Sequence, residues 1–226
     1  MTVGGRPGLE GAPMLYLVSS HACLGRPGPV SAPPVQHRLI ADGDDPPVLV
    51  KEARGPEAVG RLGAEAAVLR ALAHPGVVHL VDMEVDGEVA RLSVGWVGPH
   101  TLATVTGLPV ADAAAIVAGV ADTVADVHRT GLHHGRITPD HVLLGAHGRP
   151  VLTGFADARA LAGPADVRAD TAALGALLTA VVAPAATSGP IPDRRRGRRG
   201  DDGLRATLLT LADRAQDGPA DDDLDP

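Results

Sequence analysis

Extended and helical patterns do not alternate along this chain; they are sorted. Strand-like runs fall before Gly98: "VQHRLIA" and "VLVKEA" flank the turn "DGDDPP", and "VVHLVDMEV" and "EVARLSVGWV" flank Asp86–Gly87. An Asp-Gly pair between two alternating runs predicts a β-hairpin. One helical stretch interrupts them. From Pro56 to Ala73, Leu62, Glu65, Leu69 and Leu72 recur at three- and four-residue steps, which puts them on one helix face. Beyond Gly98 the pattern is mostly helical. Val117, Val120, Val124 and Val127 form the stripe of a helix over Val110–Arg129, with Gly131 placed to end it. Short strands are expected at Val142–Leu144 and Val151–Thr153, a very apolar helix from Asp170 through Ala180, and a last helix over Leu204–Ala215. Segregation of this kind predicts an α+β protein with two subregions.

The chain has 226 residues, enough to bury a core, with 45% hydrophobic residues and a formal net charge of −7. These values describe a globular protein and argue against nonspecific nucleic-acid binding by the molecule as a whole. One cysteine, Cys23, permits no disulfide framework and fits a reducing compartment. "MLYLV" is too short for the apolar core of a secretion signal, and the run Ala172–Ala186 is too short to span a bilayer. A cytoplasmic protein without a membrane segment is therefore expected. Residues 1–12 read as a flexible N-terminus, 187–203 as a mobile linker and 217–226 as an acidic tail.

Rare residues carry information in such a sequence. There is one lysine, Lys51, one phenylalanine, Phe155, one tryptophan and one tyrosine. Glu65 lies inside an apolar stripe, where a carboxylate requires a cation to meet it.

Taken in order, several motifs resemble those of protein kinases. "VLVKEA" resembles the strand "VAIK", whose lysine pairs the nucleotide phosphates and a helix glutamate. "EAAVLRALAHPGVVHL" is similar to the helix and strand that follow, which gives Glu65 the glutamate position and Lys51 as its cation. "HHGRITPDHVLL" resembles the catalytic loop "HRDLKPxNVLL", "VLTGFADA" the strand that ends in "DFG", and "DTAALGALL" the buried helix "DxxxLGxxL". The resemblance implies a two-lobed kinase-like α+β fold. A small antiparallel sheet lobe with one helix would span 13–97, and a shortened, mainly helical lobe 98–216.

The resemblance also marks what is replaced. The catalytic aspartate position holds Arg136, the catalytic-loop lysine position Thr138 and the metal-binding asparagine position His141. The metal-binding aspartate of "DFG" is Gly154, and its glycine is Ala156. A guanidinium cannot accept a proton, glycine offers no ligand, and magnesium prefers oxygen to imidazole. Phosphoryl transfer depends on positioning and charge neutralisation, so losing base and metal ligands together removes most of its support. The loop Ser19–Pro34 has no "GxGxxG", and Leu49 stands where a small residue normally packs on adenine. The resemblance thus implies a pseudokinase: a regulatory or protein-binding module, with no metal and with ATP bound, if at all, outside the usual magnesium coordination. The alternative is a divergent, active Ser/Thr kinase that uses Asp140 or Asp157 in a non-standard role.

Leu69, Leu80, His134 and Phe155 match the side chains that stack through an ordered kinase, and Asp170 matches the residue at their base, which holds the catalytic-loop backbone. The remaining features point less sharply. His128, His133, His134, His141 and His147 cluster in sequence but lack metal-ligand spacing. Arg194–Arg199 offers an anion-binding run flanked by aspartates, and its reading as a solvated linker is preferred; no nucleic-acid partner is expected. Cys23 has only His21 as a neighbouring base, and no catalytic role is assigned to it.

Overall fold

The computed structural model describes residues 16–17, 35–41, 45–183 and 198–217. Among these residues the chain is α+β, with a five-stranded antiparallel sheet and four helices, as a shortened kinase-like fold requires. Cys23, the loop Ser19–Pro34, most of the arginine run, residues 1–12 and the tail beyond Asp217 lie outside the described residues. The chain divides into two compact units. The first comprises the residues up to Gly63 together with Leu80–Trp96, and the second Ala64–His79 together with everything from Val97 onward.

The first unit is built on a sheet. Its strands are β1 (Tyr16–Leu17), β2 (Gln36–Ile40), β3 (Val48–Arg54), β4 (Leu80–Asp86) and β5 (Val89–Gly95), in the order β1-β2-β3-β5-β4. Alternation sorts the faces. Ala90, Leu92 and Val94 of β5 are buried on one face, with Ala53 of β3 beside Ala90. The opposite face is charged. Glu52 is buried there, and it accepts hydrogen bonds from Arg54 Nη2 at 2.7 Å and Arg91 Nε at 2.9 Å, with Arg38 Nη2 at 3.7 Å. The Arg91 hydrogen bond, above all, holds the Glu52 carboxyl below its ordinary range.

The β4–β5 hairpin turns one residue later than its Asp-Gly pair suggests. Asp86 pairs with Val89, so the two-residue turn is Gly87–Glu88, with Gly87 at φ 57°. Glycine at the first central position is what the right-handed twist of the flanking strands favours. The strand expected from Val77 begins only at Leu80. Val77 instead bridges Leu152 in parallel, and Val78 donates to the Leu152 carbonyl at 2.9 Å.

Helix α1 (Pro56–Ala71) follows β3 and buries Leu62, Glu65 and Leu69; Leu72, just past its end, is buried too. In the second unit, α2 (Val110–Arg129) buries Val117, Val120, Val124 and Val127 and ends as its sequence predicts: Gly131, at φ 80°, donates to the His128 carbonyl at 2.9 Å. The strands β6 (His100–Thr101), β7 (Leu132–His133), β8 (Val142–Leu144), β9 (Pro150–Leu152) and β10 (Arg159–Ala160) form two small sheets, β6-β8-β9 and β10-β7.

Two helix starts differ from expectation. α3 runs over Pro164–Val182, beginning six residues before Asp170. Proline suits the first helical position, and Asp166 Oδ2 accepts from the Ala162 and Gly163 N–H groups at 2.6 and 3.3 Å, which caps the earlier start. α4 covers Arg198–Asp217, so the end of the expected linker over 187–203 is helical. Arginine is a good helix former, and Asp202 with Arg205, 3.4 Å apart, makes an i,i+3 pair near this end. α3 and α4 cross closely at Gly175, where an added Cβ would lie 2.6 Å from the Ala212 carbonyl oxygen.

Candidate functional site

The site lies in the second unit, in the segment joining β7 to β10. After His133 the chain runs through His134, Gly135 and Arg136 to a short 3-10 turn at Pro139–His141, and thence into β8. The return strand β9 leads through Thr153 and Gly154 to a second 3-10 turn at Phe155–Asp157. Antiparallel pairing of β8 with β9 and of β7 with β10 brings the two turns together.

Asp170 anchors the first of them. This α3 carboxylate is buried and takes three hydrogen bonds: His134 N–H at 2.8 Å, Gly135 N–H at 2.9 Å and His128 Nε2 at 2.8 Å. Three donors offset the cost of placing a charge in the interior. His128, on the last turn of α2, stood out in the sequence only as a member of the histidine cluster, and its partnership with Asp170 was not foreseen. The signal for that role is its place in the final helical turn, near the loop.

His134 is fully buried. Its Nδ1 accepts from the Arg136 N–H at 3.2 Å, so Nε2 carries the proton and donates to the Thr153 carbonyl at 3.1 Å. Burial lowers its pKa to about 4, although the bond to Thr153 favours the charged form. The ring packs on Phe155, also fully buried, with centroids 4.5 Å apart and planes inclined at 55°.

Three of the replaced positions, Arg136, His141 and Gly154, are coupled. His141 donates from Nδ1 to the Arg136 carbonyl at 2.8 Å, which fixes the imidazole plane. The ring then lies over Gly154: a Cβ at that position would fall 2.5 Å from His141 Cδ2 and 2.7 Å from Nε2. Gly154 also holds φ at 82°, in the left-handed region. Arg136 Nη1 stands 3.6 Å from Asp157 Oδ2, so its guanidinium meets the carboxylate three residues past Gly154. Gly135 is a further constraint that sequence reasoning passed over. At φ 76°, its added Cβ would lie 2.8 Å from the Asp157 carbonyl oxygen.

This donor set does not fit a magnesium ion. One imidazole faces Gly154, Asp157 faces a guanidinium, and Asp140 is exposed on the 3-10 turn. Among the described residues no cluster of three or more His, Cys, Asp or Glu is placed to hold a metal.

The other expected site residues are distributed between the units. Lys51, half-buried on β3, Leu49 beside it and half-buried Leu80 belong to the first. Glu65 and Leu69, both buried on α1, belong with His134, Phe155 and Asp170 to the second. No helix among the described residues is long and apolar enough to cross a membrane.

Fold and motifs are similar to those of protein kinases, and comparison with known proteins supports a protein-kinase-like relationship. Over 118 residues the chain is 35% identical to the serine/threonine-protein kinase PkaB of Streptomyces coelicolor, a match covering 48% of this chain and 28% of that protein. Over 109 residues it is 38% identical to the serine/threonine-protein kinase PkaA of the same organism, covering 45% of this chain and 20% of that protein. The chain thus spans a minor part of the length of these curated relatives. No family model matches it.

Proposed function

We propose that this is a pseudokinase module: a kinase-like domain that does not transfer phosphate and acts in the cytoplasm by binding another protein. The observation that carries the reading is the His141 imidazole over Gly154. It occupies the space into which a metal-binding side chain at position 154 would have to project. The Arg136–Asp157 pair supports it, since it puts a cation where a base is needed and engages the nearest remaining acid.

The test is phosphotransfer by the purified protein with magnesium and ATP, using itself and a generic protein as acceptors. No transfer above that of a heat-denatured control is expected. Magnesium-dependent transfer that is abolished by Lys51→Ala would overturn the proposal. An Asp140→Asn/Asp157→Asn variant would then show whether those acids had taken over the chemistry.

A further inference from the structure

Strand β4 forms an edge of the five-stranded sheet, paired with β5 on one side only among the described residues. It is seven residues long, and alternate residues of such an edge turn their N–H and C=O groups outward, which is a template for another strand. Its side chains do not protect it by covering. Val85 is 59% exposed and Val81 50%, although both are β-branched residues suited to a packed sheet. Val81 is the extra residue where the register shifts between Leu80 and Asp82, so the regular ladder runs from Asp82 to Asp86.

That ladder alternates acidic with apolar side chains, all of them exposed except half-buried Met83. Asp82, Glu84 and Asp86 pair with Ser93, Arg91 and Val89 and share their face, whereas Met83 and Val85 pair with Leu92 and Ala90 and share the other. Arg91 is committed chiefly to Glu52 at 2.9 Å; Glu84 lies 3.9 Å from it and keeps 65% of its side chain exposed.

We infer that the β4 edge takes an added strand from a partner protein whose sequence alternates basic and apolar residues. Main-chain hydrogen bonds supply the pairing, cations meet the acids at 82, 84 and 86, and apolar side chains cover Met83 and Val85. A second copy of this chain does not fit. Antiparallel β4 against β4, centred on Glu84, sets Glu84 against Glu84 and Asp82 against Asp86, and like charges directly opposite are destabilising. The inference rests on the reading of the domain as a binding module, and it names the chemistry of what is bound.

The test uses a blocked, fluorescent Arg-Val-Arg-Val-Arg peptide and its isomer Val-Val-Arg-Arg-Arg, titrated by anisotropy against the full chain without nucleotide. The alternating peptide is expected to bind at least about tenfold more tightly than the isomer and to lose that advantage when its backbone is N-methylated. The variant Asp82→Arg/Asp86→Arg, changed at two strand-edge positions, is expected to prefer Glu-Val-Glu-Val-Glu. Equal binding of the two isomers, or an unchanged preference in the variant, would overturn the inference, because attraction would then be charge without register. A dimer in light scattering that the double variant dissociates would also overturn it, since a second copy would be the occupant. Phosphotransfer is read separately. Activity alongside discriminating peptide binding would remove the inactive reading and leave the edge assignment standing, whereas inactivity without discrimination would do the reverse.

Discussion

Asp170 gives the sharpest test of how the loop is held. The residue is 1% exposed, and its two carboxylate oxygens accept from His134 N–H, Gly135 N–H and His128 Nε2. Asp170→Ala strands two main-chain donors, one buried and one partly buried, and removes the partner of His128. A buried donor left without an acceptor costs about 1–3 kcal/mol. The Gly135 N–H can recover some hydration, so the sum comes to about 3–5 kcal/mol, a large share of an ordinary domain stability of about 5–15 kcal/mol. Asp170→Asn keeps the shape and one acceptor but sets an amide N–H₂ against a main-chain donor; about 2–3 kcal/mol is expected. His128→Ala leaves the carboxylate with both main-chain donors and should cost least, about 1–2 kcal/mol. Urea unfolding at neutral pH reads all three through the midpoint, provided the slope is unchanged. If Asp170→Asn falls within about 0.5 kcal/mol of the parent, or if His128→Ala costs more than Asp170→Ala, the carboxylate is not the anchor described here.

Three further outcomes follow from particular contacts. Burial holds His134 at a pKa of about 4 against about 6.5 unfolded, so between these values the unfolded chain binds a proton that the folded chain does not. Stability should therefore fall by up to about 3 kcal/mol as pH drops through that window, and His134→Phe should flatten this part of the curve; parallel curves for parent and variant count against the assignment. Glu52, held low chiefly by the Arg91 hydrogen bond, and Asp166, held low chiefly by the Ala162 N–H, add their losses at lower pH, as each approaches and passes below its unfolded value. Gly154→Asp must both move the His141 ring and place a side chain at φ 82°, for an expected cost of about 2–4 kcal/mol. Adding His141→Asn should recover at least about 1 kcal/mol of it in a double-mutant cycle, and additive costs would mean that the two residues do not meet. Gly175→Ala should lower the melting temperature although alanine favours helix by about 1 kcal/mol, because the new Cβ would stand 2.6 Å from the Ala212 carbonyl; a raised melting temperature would show that the helix crossing yields freely.

Much of this was legible in the sequence where a local rule decides the outcome. The valine stripe and Gly131 mark α2 to its ends, and the order of elements gives the α+β class. The motifs also pick out His134, Phe155 and Asp170, residues that the structure buries together in one unit. What was not legible depends on register or on space. The arginine neighbours of Glu52 arrive from β2 and β5 only once the strands pair, and the true turn at Gly87–Glu88 needs the same register. The start of α3 rests on a cap made by Asp166, which sequence reasoning passed over for Asp170.

The replaced site shows the difference best. In sequence, Arg136, His141 and Gly154 are three separate departures from a kinase motif. In space they are one arrangement. The Arg136 carbonyl fixes the His141 ring, the ring rests where Gly154 lacks a Cβ, and the Arg136 guanidinium turns to Asp157. Each residue suits the other two, so restoring any one alone meets the remaining pair: aspartate at 154 meets the imidazole, and aspartate at 136 sets a second carboxylate beside Asp157. A chain that retained phosphotransfer by a minor detour would be expected to leave such a site open to single repair. Here each single repair meets a neighbour, which supports the proposal of a role at the surface, at β4, over chemistry in this loop.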